Sequence, residues 1–440
     1  MKRGRLDGLY LFLLGSVVFV LLGLALSNPS PISMVDFRVL YNPARCLIQH
    51  CDPYNENDVM RISLAEGGIL PTDNAVARQV LTANVYPPSA FCLTVPFATL
   101  PWGPAHTLWR MLTMAGLIFA SFLIWNLGTS YAPTLAGVLV GFLLANCELF
   151  VVSGNAAGIV ISLCVVAVWC FLRERFILAG VLCLAVSLAV KPQVTGLVWI
   201  YFLLAGGVYR RRALQTLVAT VALSLPGVLW VWHVAPHWMQ ELHSNIQAFS
   251  AHGGVNEPGL TSSGAHGLGM LVNLQAIFSV FWDDPRIYDT ASYLVFAPLL
   301  LVWAFVTFRS RPSPKTVLLA LAAISALSML PVYHRQHDAR LLLLTVPACA
   351  MLWAEGGLVG KLALLVNTAG FVLIGDLPWV AVLILIQHLH LPPTRLSSQI
   401  VMAVQVFPVP IILLVMGIFY LWVYVRRCSA DAALESAKEA

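Results

Sequence analysis

Several polar side chains of this sequence stand at the edges of long apolar runs, where they could do chemistry beside a membrane. Asp36 is a carboxylate a few residues after the first apolar run, and Lys191 directly follows a later one. Other polar residues in such positions are Glu148, Asn155, His334, Arg335, His337, Asp338 and Arg340. A carboxylate can act as a general base toward a hydroxyl, and Lys or Arg near the lipid boundary can bind phosphate. Together these residue types suit transfer of a group from a lipid phosphate to an alcohol.

The composition explains why these residues have to be positioned by membrane helices. Of 440 residues, 59% are hydrophobic and 10% are charged, and the mean hydropathy is +0.83. A soluble domain has about 25% charged residues. The apolar runs reach the roughly 20 residues that a helix needs to cross hydrocarbon, and they lack the alternation of a β-barrel. The sequence therefore predicts an all-α polytopic membrane protein whose net charge of +5 concerns membrane sidedness, not nucleic acid.

The first predicted span is 9–26, and the basic residues before it place the N-terminus in the cytoplasm. A cleaved signal peptide is the alternative, because Ala25-Leu26-Ser27 resembles a cleavage site, although the apolar run exceeds the usual h-region of about 7–15 residues. With either interpretation, the polar segment 28–104 is a large external loop.

Two short helices are predicted within this external loop. Apolar residues recur at helical spacing over 37–48, which indicates a helix along the membrane surface that Pro43 should start or kink. The apolar segment 88–100 is bounded by prolines and is too short to span, so we interpret it as a second surface or re-entrant helix.

About twelve spans are predicted in all, each of roughly the length that hydrocarbon requires. The remaining ones are 105–127, 132–152, 156–172, 176–190, 193–209, 213–234, 290–308, 316–333, 339–354, 358–375 and 400–425. The stretch 377–391 is short and flanked by prolines, which favours an interfacial position. The predicted division is a catalytic module 1–235, a second external loop 236–287, C-terminal transmembrane helices 288–428 and a disordered tail 429–440.

The charges support this arrangement. Lys and Arg gather on the short cytoplasmic joints, among them Arg210-Arg211-Arg212 and Arg426-Arg427. A true span at 88–100 would invert every later loop and put the first of these clusters outside, which the positive-inside rule disfavours. The polar residues named above then collect at the outer face of a cell membrane, toward the periplasm or the exterior. Any membrane protein places polar residues at interfaces, so the convergence rather than a single residue carries the prediction.

Other groups could bind ions or form a crosslink. His334 and His337 have a spacing that can ligate zinc on a helix, but no His-Glu-x-x-His motif is present. Asp283-Asp284 could bind an ion or cap a loop. A bridge from Cys46 to Cys51 would suit an oxidising compartment and rests on their proximity alone.

Motifs in a fixed order carry a resemblance over about residues 30–350. The first are Asp36-Phe37 with Tyr41, Asp52-Pro53-Tyr54, Tyr86-Pro87-Pro88 and Leu108-Trp109, which resemble the N-terminal half of the GT-C glycosyltransferases. The later ones are Gly154-Asn155, Ala179-Gly180, Lys191-Pro192 and His337-Asp338, which are similar to glycosyltransferase family 87, the polyprenyl-phosphate-mannose-dependent group. The family usually has Gln after the Gly of the fourth span, where this chain has Asn155.

The resemblance implies a GT-C fold with its active site at the outer membrane face. By this analogy Asp36 is the general base for the acceptor hydroxyl, Lys191 contacts the donor phosphate and His337 lies in the donor or acceptor site. Arg335, Arg340 and Arg110 are further phosphate candidates by charge and position. The substrate-binding candidates are Tyr41, Asp52, Tyr54, Tyr86, Glu148, Asn155 and Asp338.

The predicted reaction needs neither metal nor cofactor. Met34-Val35-Asp36-Phe37-Arg38 contains no second acid, and one carboxylate beside an Arg is a poor site for a hard cation. We expect an inverting transfer of one hexose, mannose by the resemblance, from a polyprenyl phosphate to a hydroxyl of a lipid or glycan acceptor.

Two alternative functions stay open. One is a transporter or lipid flippase, although the polar load lies at one face and not at the bilayer midplane. The other is a ligase that uses a pyrophosphate-lipid donor.

Overall fold

The computed structural model describes residues 2–27, 33–68, 75–252, 254–258, 271–378, 380–381, 384, 403 and 407–439. Side chains at 2–3, 75–77, 432 and 434–439 are outside this description. Within the described part of the chain the structure is helical, and the one β-type pairing is an isolated bridge between Leu271 and Arg335. The prediction of an all-α protein is confirmed.

The helices follow the apolar runs of the sequence. In chain order they are α1 (Lys2–Ser27), α2 (Val35–Ile48), α3 (Glu56–Ala65), α4 (Ala75–Thr82), α5 (Pro88–Ala98), α6 (Trp102–Gly128), α7 (Pro133–Leu144), α8 (Glu148–Ser153), α9 (Ala157–Arg173), α10 (Ile177–Val190), α11 (Pro192–Leu204), α12 (Gly207–Val234), α13 (Trp238–Ser250), α14 (Leu274–Phe278), α15 (Pro285–Arg309), α16 (Pro314–Leu327), α17 (Val346–Glu355), α18 (Gly357–Ile374) and α19 (Pro408–Glu439). A 3-10 helix, Asp338–Thr345, leads into α17.

Among the described residues, seven helices are long and apolar enough to cross a membrane. They are Gly4–Ser27, Trp102–Gly128, Pro133–Ser153, Gly207–Val234, Pro285–Arg309, Gly357–Ile374 and Pro408–Asp431. The protein is therefore a polytopic membrane protein. Shorter apolar helices, such as α9, α10, α11 and α16, occupy the other predicted spans, so the full count of spans stays a prediction. Most of the predicted interfacial stretch 377–391 lies outside the described residues.

The predicted surface helix at 37–48 is present as α2, but it begins at Val35 and continues through Pro43. The proline neither starts the helix nor ends it. Although proline removes one backbone hydrogen bond, the apolar side of α2 packs against α5, and this burial offsets the loss. Phe37, Leu40 and Leu47 are fully buried, so one side of α2 is packed inside the protein, and its position along the membrane surface stays a prediction.

A disulfide joins Cys46 in the last turn of α2 to Cys51, with their Cα atoms 5.0 Å apart. Asn55 then caps α3 by accepting hydrogen bonds from the backbone of Asn57 and Asp58. These local constraints fix the chain direction after α2.

Glycines let α1 and α7 approach so closely that their backbones touch. A Cβ atom at Gly15 would lie 2.3 Å from the carbonyl oxygen of Gly141, and one at Gly137 would lie 2.2 Å from that of Gly8. Small residues at such contacts are typical of helix pairs in membranes. This pair fixes α7, and through it the short α8 that leads into the candidate site.

Helix α16 lies at the centre of the bundle, with every side chain from Thr316 to Leu327 buried. It packs against α11, α15, α17, α19 and the 3-10 helix. The predicted span 316–333 ends early, at Leu327, because the chain then turns into the non-helical segment that carries His334 and Asp338.

The tail from Ser429, expected to be disordered, continues α19 as a helix to Glu439. The sequence after Asp431 is rich in Ala, Leu, Glu and Lys, which are strong helix formers, and an existing helix extends at little cost.

Candidate functional site

The start of α2 is held against the end of α8 by the backbone. The amide of Met34 donates to the carbonyl of Val152 at 2.7 Å. Gly154 ends α8 with a φ of +72°, and a Cβ there would lie 2.8 Å from atoms of Met34 and Phe37. Its carbonyl accepts a hydrogen bond from the indole of Trp109 at 2.9 Å. Position 154 therefore requires glycine, both for its backbone conformation and for lack of space for a side chain. The close approach of α2 to α8 places Asp36 beside Asn155.

Asn155 orients the carboxylate of Asp36. The amide oxygen of Asn155 accepts from the backbone of Ala157 at 2.9 Å, where α9 begins. The orientation of the amide is thereby fixed, and its Nδ2 donates to Oδ2 of Asp36 at 2.9 Å. Oδ1 of Asp36 has no hydrogen-bond partner in the part of the chain that the structure describes, and the side chain is partly exposed. This oxygen is therefore not engaged by another group among the described residues.

Lys191 and Asp338 form a buried ion pair. Lys191 lies between α10 and α11, and its Nζ is 2.5 Å from Oδ1 of Asp338. Lys191 is 5% exposed and Asp338 is fully buried. Burial alone raises the pKa of Asp338, but the charges of Lys191 and the neighbouring histidines outweigh it and hold the pKa well below its usual range. The pair joins two predicted regions that are far apart in sequence.

The other oxygen of Asp338 organises the turn that precedes it. Oδ2 accepts from the backbone amide of Arg335 at 3.1 Å and lies 3.4 Å from Nδ1 of His334. Nε2 of His337 is 3.8 Å from Oδ1. His334 is fully buried and contacts the carboxylate of Asp338, which also binds Lys191. The two histidines whose spacing could suit zinc therefore both lie against the Lys191–Asp338 ion pair.

Arg335, Tyr86 and His337 lie within electrostatic reach of both Asp36 and Asp338. Burial lowers the pKa of His337 to about 4, opposed by Asp338 and Asp36, so its imidazole is neutral near pH 7. Burial also raises the pKa of the Tyr86 phenol, Lys191 opposes that rise, and both carboxylates add to it. Burial lowers the pKa of Arg335, but Tyr333 and both carboxylates more than reverse this shift. The structure therefore gathers these groups at one place.

Segments of the second external loop hydrogen-bond to the chain around His334 and Arg335. The backbone amide of Val272 donates to the carbonyl of His334 at 3.0 Å, and the side chain of Gln275 donates to the carbonyl of Pro331 at 2.9 Å. Arg335 donates from Nε to the hydroxyl of Tyr333 at 2.5 Å and from Nη2 to Asn256 at 3.4 Å.

Sequence reasoning missed Tyr333, Gln275 and Asn256. Tyr333 could have been noticed as an aromatic hydroxyl at the end of a predicted span, beside three other polar candidates. Gln275 and Asn256 carry no local signal, because their positions depend on how the loop returns to the bundle.

Arg340 is placed apart from these groups. Its guanidinium is 2% exposed and forms an ion pair with Asp376, and it also donates to the backbone carbonyls of Ile374 and Asn146. An arginine engaged in this way is not open to a donor phosphate, because its charge is already compensated inside the bundle. Glu148 lies near this ion pair, is 1% exposed, and neither carboxylate oxygen has a hydrogen-bond partner among the described residues.

Tyr41, Asp52 and Tyr54 brace the external loop. The hydroxyl of Tyr41 donates to the carbonyl of Leu100 at 2.9 Å. Asp52 accepts from the backbone of Tyr54 at 2.8 Å, and the hydroxyl of Tyr54 donates to the carbonyl of Tyr86 at 2.7 Å. Tyr54 therefore acts on the site indirectly, by holding the backbone of Tyr86.

Arg110 contacts the segment that precedes α2. It projects from α6 one residue after Trp109, is partly exposed, and its Nη2 donates to Ser33 at 3.3 Å. The structure gives it no contact with Lys191 or Arg335, so its role toward a donor phosphate stays a prediction.

The family model described as Glycosyltransferase family 87 matches residues 84–332. This match spans more than half of the chain. The chain belongs to glycosyltransferase family 87. No curated protein and no solved structure matches it. The family 87 match includes Tyr86 and Lys191, whereas Asp36 lies well before its first residue and Asp338 lies shortly after its last one. Membership establishes a multi-pass membrane glycosyltransferase and favours this activity over that of a transporter or flippase.

Proposed function

We propose that this family 87 protein transfers one hexose from a polyprenyl phosphate to a hydroxyl of a lipid or glycan acceptor, with Asp36 as the general base. The observation that carries the proposal is the hydrogen bond from Asn155 to Oδ2 of Asp36, which fixes a carboxylate within electrostatic range of the half-buried Arg335. A positioned carboxylate and cations are the two components that this transfer requires.

The step is a single displacement. Asp36 accepts the proton of the acceptor hydroxyl at Oδ1, and the acceptor oxygen forms a bond to the anomeric carbon of the donor. The bond from that carbon to the phosphate oxygen breaks, and the polyprenyl phosphate leaves with the electron pair. One displacement inverts the anomeric configuration.

Lys191 and Arg335 are the proposed contacts of the donor phosphate. The ammonium of Lys191 has three donor hydrogens, and Asp338 accepts one while keeping the charge in place. The guanidinium of Arg335 lies near Asp36 as well as Asp338. A donor phosphate placed between Arg335 and Lys191 would therefore meet two cations. The neutral His337 can donate a hydrogen bond to the phosphate or to the sugar.

The finer assignments rest on the resemblance and on residue chemistry. Mannose is the proposed sugar, and the outer face of the cell membrane is the proposed location. A metal-independent reaction is proposed because Asp36 is bonded to an amide and influenced by cations, whereas a hard divalent ion needs several oxygen ligands.

The decisive experiment compares Asp36→Asn with Asp283→Asn in purified protein, using a panel of radiolabelled polyprenyl-phosphate and polyprenyl-pyrophosphate sugars. We expect Asp36→Asn to reduce transfer by at least about 100-fold, because the amide cannot accept the proton. Asp283 is an exposed loop carboxylate and serves as the matched control. Full activity in Asp36→Asn would remove Asp36 as the base. Consumption of only the pyrophosphate donors would favour the ligase, and loss of activity in EDTA would contradict the metal-independent step.

A further inference from the structure

A groove of about 850 Å³ runs between α10 and α12 on the membrane-facing side of the bundle. Its walls are mostly aliphatic. The lining residues are Ile177, Leu178, Val181, Leu182, Gly207, Arg210, Arg211, Leu214, Gln215, Val218 and Ala219. Val218 is 70% exposed and Leu178 is 72% exposed, so the groove opens toward the lipid.

One end of the groove is strongly positive. Arg210 and Arg211 lie there and are exposed, and Nε of Arg210 donates to the carbonyl of Leu203 at 3.1 Å, which directs its remaining donors outward. Both α10 and α12 begin at this end, so their partial positive charges add to those of the two arginines. Such an end attracts an anion.

The acidic residue near this end is already neutralised. Glu174 lies in the turn before α10, and its carboxylate is 3.4 Å from Nη2 of the buried Arg212. No carboxylate lines the groove itself within the described residues. The charge at its end is therefore net positive.

The groove is long enough for a hydrocarbon chain. From Arg210 to Val218 the helix rises about 12 Å, at 1.5 Å per residue, and the wall over this length is aliphatic apart from Gln215. A free phosphate would use the arginines but not this wall. A neutral lipid would use the wall but not the arginines.

We propose that this groove binds an anionic glycerophospholipid, with its phosphate on Arg210 and Arg211 and one acyl chain along α10 and α12. The site is distinct from the candidate active site, because Lys191 follows the opposite end of α10, about 20 Å away along the helix. The bound lipid would fasten α10 to α12 and so support the helix end that carries Lys191.

The proposal is tested by binding of fluorescent phosphatidylglycerol to the full-length protein in neutral detergent micelles. We expect Arg210→Ala/Arg211→Ala to weaken binding by about tenfold or more, since each arginine near an anionic lipid contributes favourably. The control Arg309→Ala/Arg426→Ala removes the same charge from the end of α15 and from α19, and it should leave binding unchanged.

A second variant tests the acyl wall without altering the charge. Val218→Trp projects a large side chain into the groove and should also weaken binding. Unlabelled phosphatidylglycerol should compete, whereas glycerol phosphate and phosphatidylcholine should not. Equal loss in the control pair, unchanged binding in Val218→Trp, or equal competition by phosphatidylcholine would overturn the proposal. Stronger competition by a polyprenyl phosphate than by phosphatidylglycerol would overturn the choice of lipid.

Discussion

At the scale of single residues, the candidate site depends on how two carboxylates are held. Asp36 receives a hydrogen bond from an amide whose orientation α9 fixes, whereas Asp338 is buried in an ion pair with Lys191. The first is exposed enough to meet a substrate and the second is not. This difference supports the proposed chemical role of Asp36 and a positioning role for Asp338.

The role of Asn155 can be tested directly. Asn155→Ala should lower kcat about tenfold or more while changing the donor KM little, because Asp36 would lose the hydrogen bond that orients it. Steady-state kinetics with saturating donor measures this split. A change confined to KM would instead indicate that Asn155 contacts the donor.

Variants of the Lys191–Asp338 ion pair can distinguish an effect on stability from an effect on donor binding. Lys191→Ala should raise the donor KM more than it lowers kcat, and it should also destabilise the protein by about 3–5 kcal/mol, since it leaves Asp338 buried without a partner. The double variant Lys191→Met/Asp338→Asn removes both charges, so thermal stability should return while the donor KM stays high. A normal donor KM in the double variant would argue against a phosphate role for Lys191.

At the scale of elements, Glu241 of α13 lies near Asp52 of the first external loop, and this interaction depends on pH. Burial, and then the nearby carboxylate of Asp52, raise the pKa of Glu241 to about 7 from an ordinary value of 4.5. A raised pKa in the folded state means that this contribution to stability is complete below pH 4.5 and is lost as the pH rises through about 7.

We therefore expect the melting temperature to fall between about pH 4.5 and 7 in the wild type, and to fall less in Glu241→Gln, which stays uncharged at every pH. Thermal unfolding in detergent across this range measures the effect. Glu56→Gln, at a carboxylate of α3 that pairs with Arg78, is the control and should keep the wild-type slope. A wild-type slope in Glu241→Gln would contradict the assignment.

The contact of α1 with α7 should tolerate no side chain. A Cβ at Gly141 would lie 2.6 Å from the carbonyl oxygen of Leu11, so Gly141→Ala should destabilise the protein by about 1–3 kcal/mol. At Gly196 in α11, a Cβ would meet nothing within 4 Å. Gly196→Ala should therefore be neutral or slightly stabilising, since alanine is the better helix former. Equal melting temperatures for the two variants would show that the helices can move apart.

At the scale of the whole molecule, the candidate site crosses the predicted division of the chain. Lys191 belongs to the predicted module 1–235, whereas Asp338 belongs to the C-terminal helices, and α17 packs against α6 and α7. The C-terminal helices therefore complete the site. The predicted boundaries still describe sequence regions, but the chemistry depends on both.

The membrane orientation is tested by labelling. In a variant whose free cysteines are replaced by alanine, Asp283→Cys should react with a membrane-impermeant maleimide in intact cells, and Arg211→Cys should react only after permeabilisation. This follows from basic joints facing the cytoplasm. The reverse pattern would place the candidate site on the cytoplasmic side.

The sequence by itself determined the class of protein and the positions of its helices. Charge scarcity and run length require a membrane bundle, and the helices α6, α9 and α10 lie within a few residues of the predicted spans because apolar periodicity is a local property. The type and position of Asp36 and Lys191 were also visible, because a charged residue at the end of an apolar run is conspicuous.

Only the tertiary structure decided which polar residues meet. Lys191 pairs with Asp338, whereas Arg340, two residues further on, turns into the bundle and pairs with Asp376. Asn155 faces Asp36 because a glycine turn lets α2 approach α8. These pairings depend on which helix ends come together in space, and no local pattern of residues encodes that. Burial then makes each pairing specific, because a buried charge without a partner is costly.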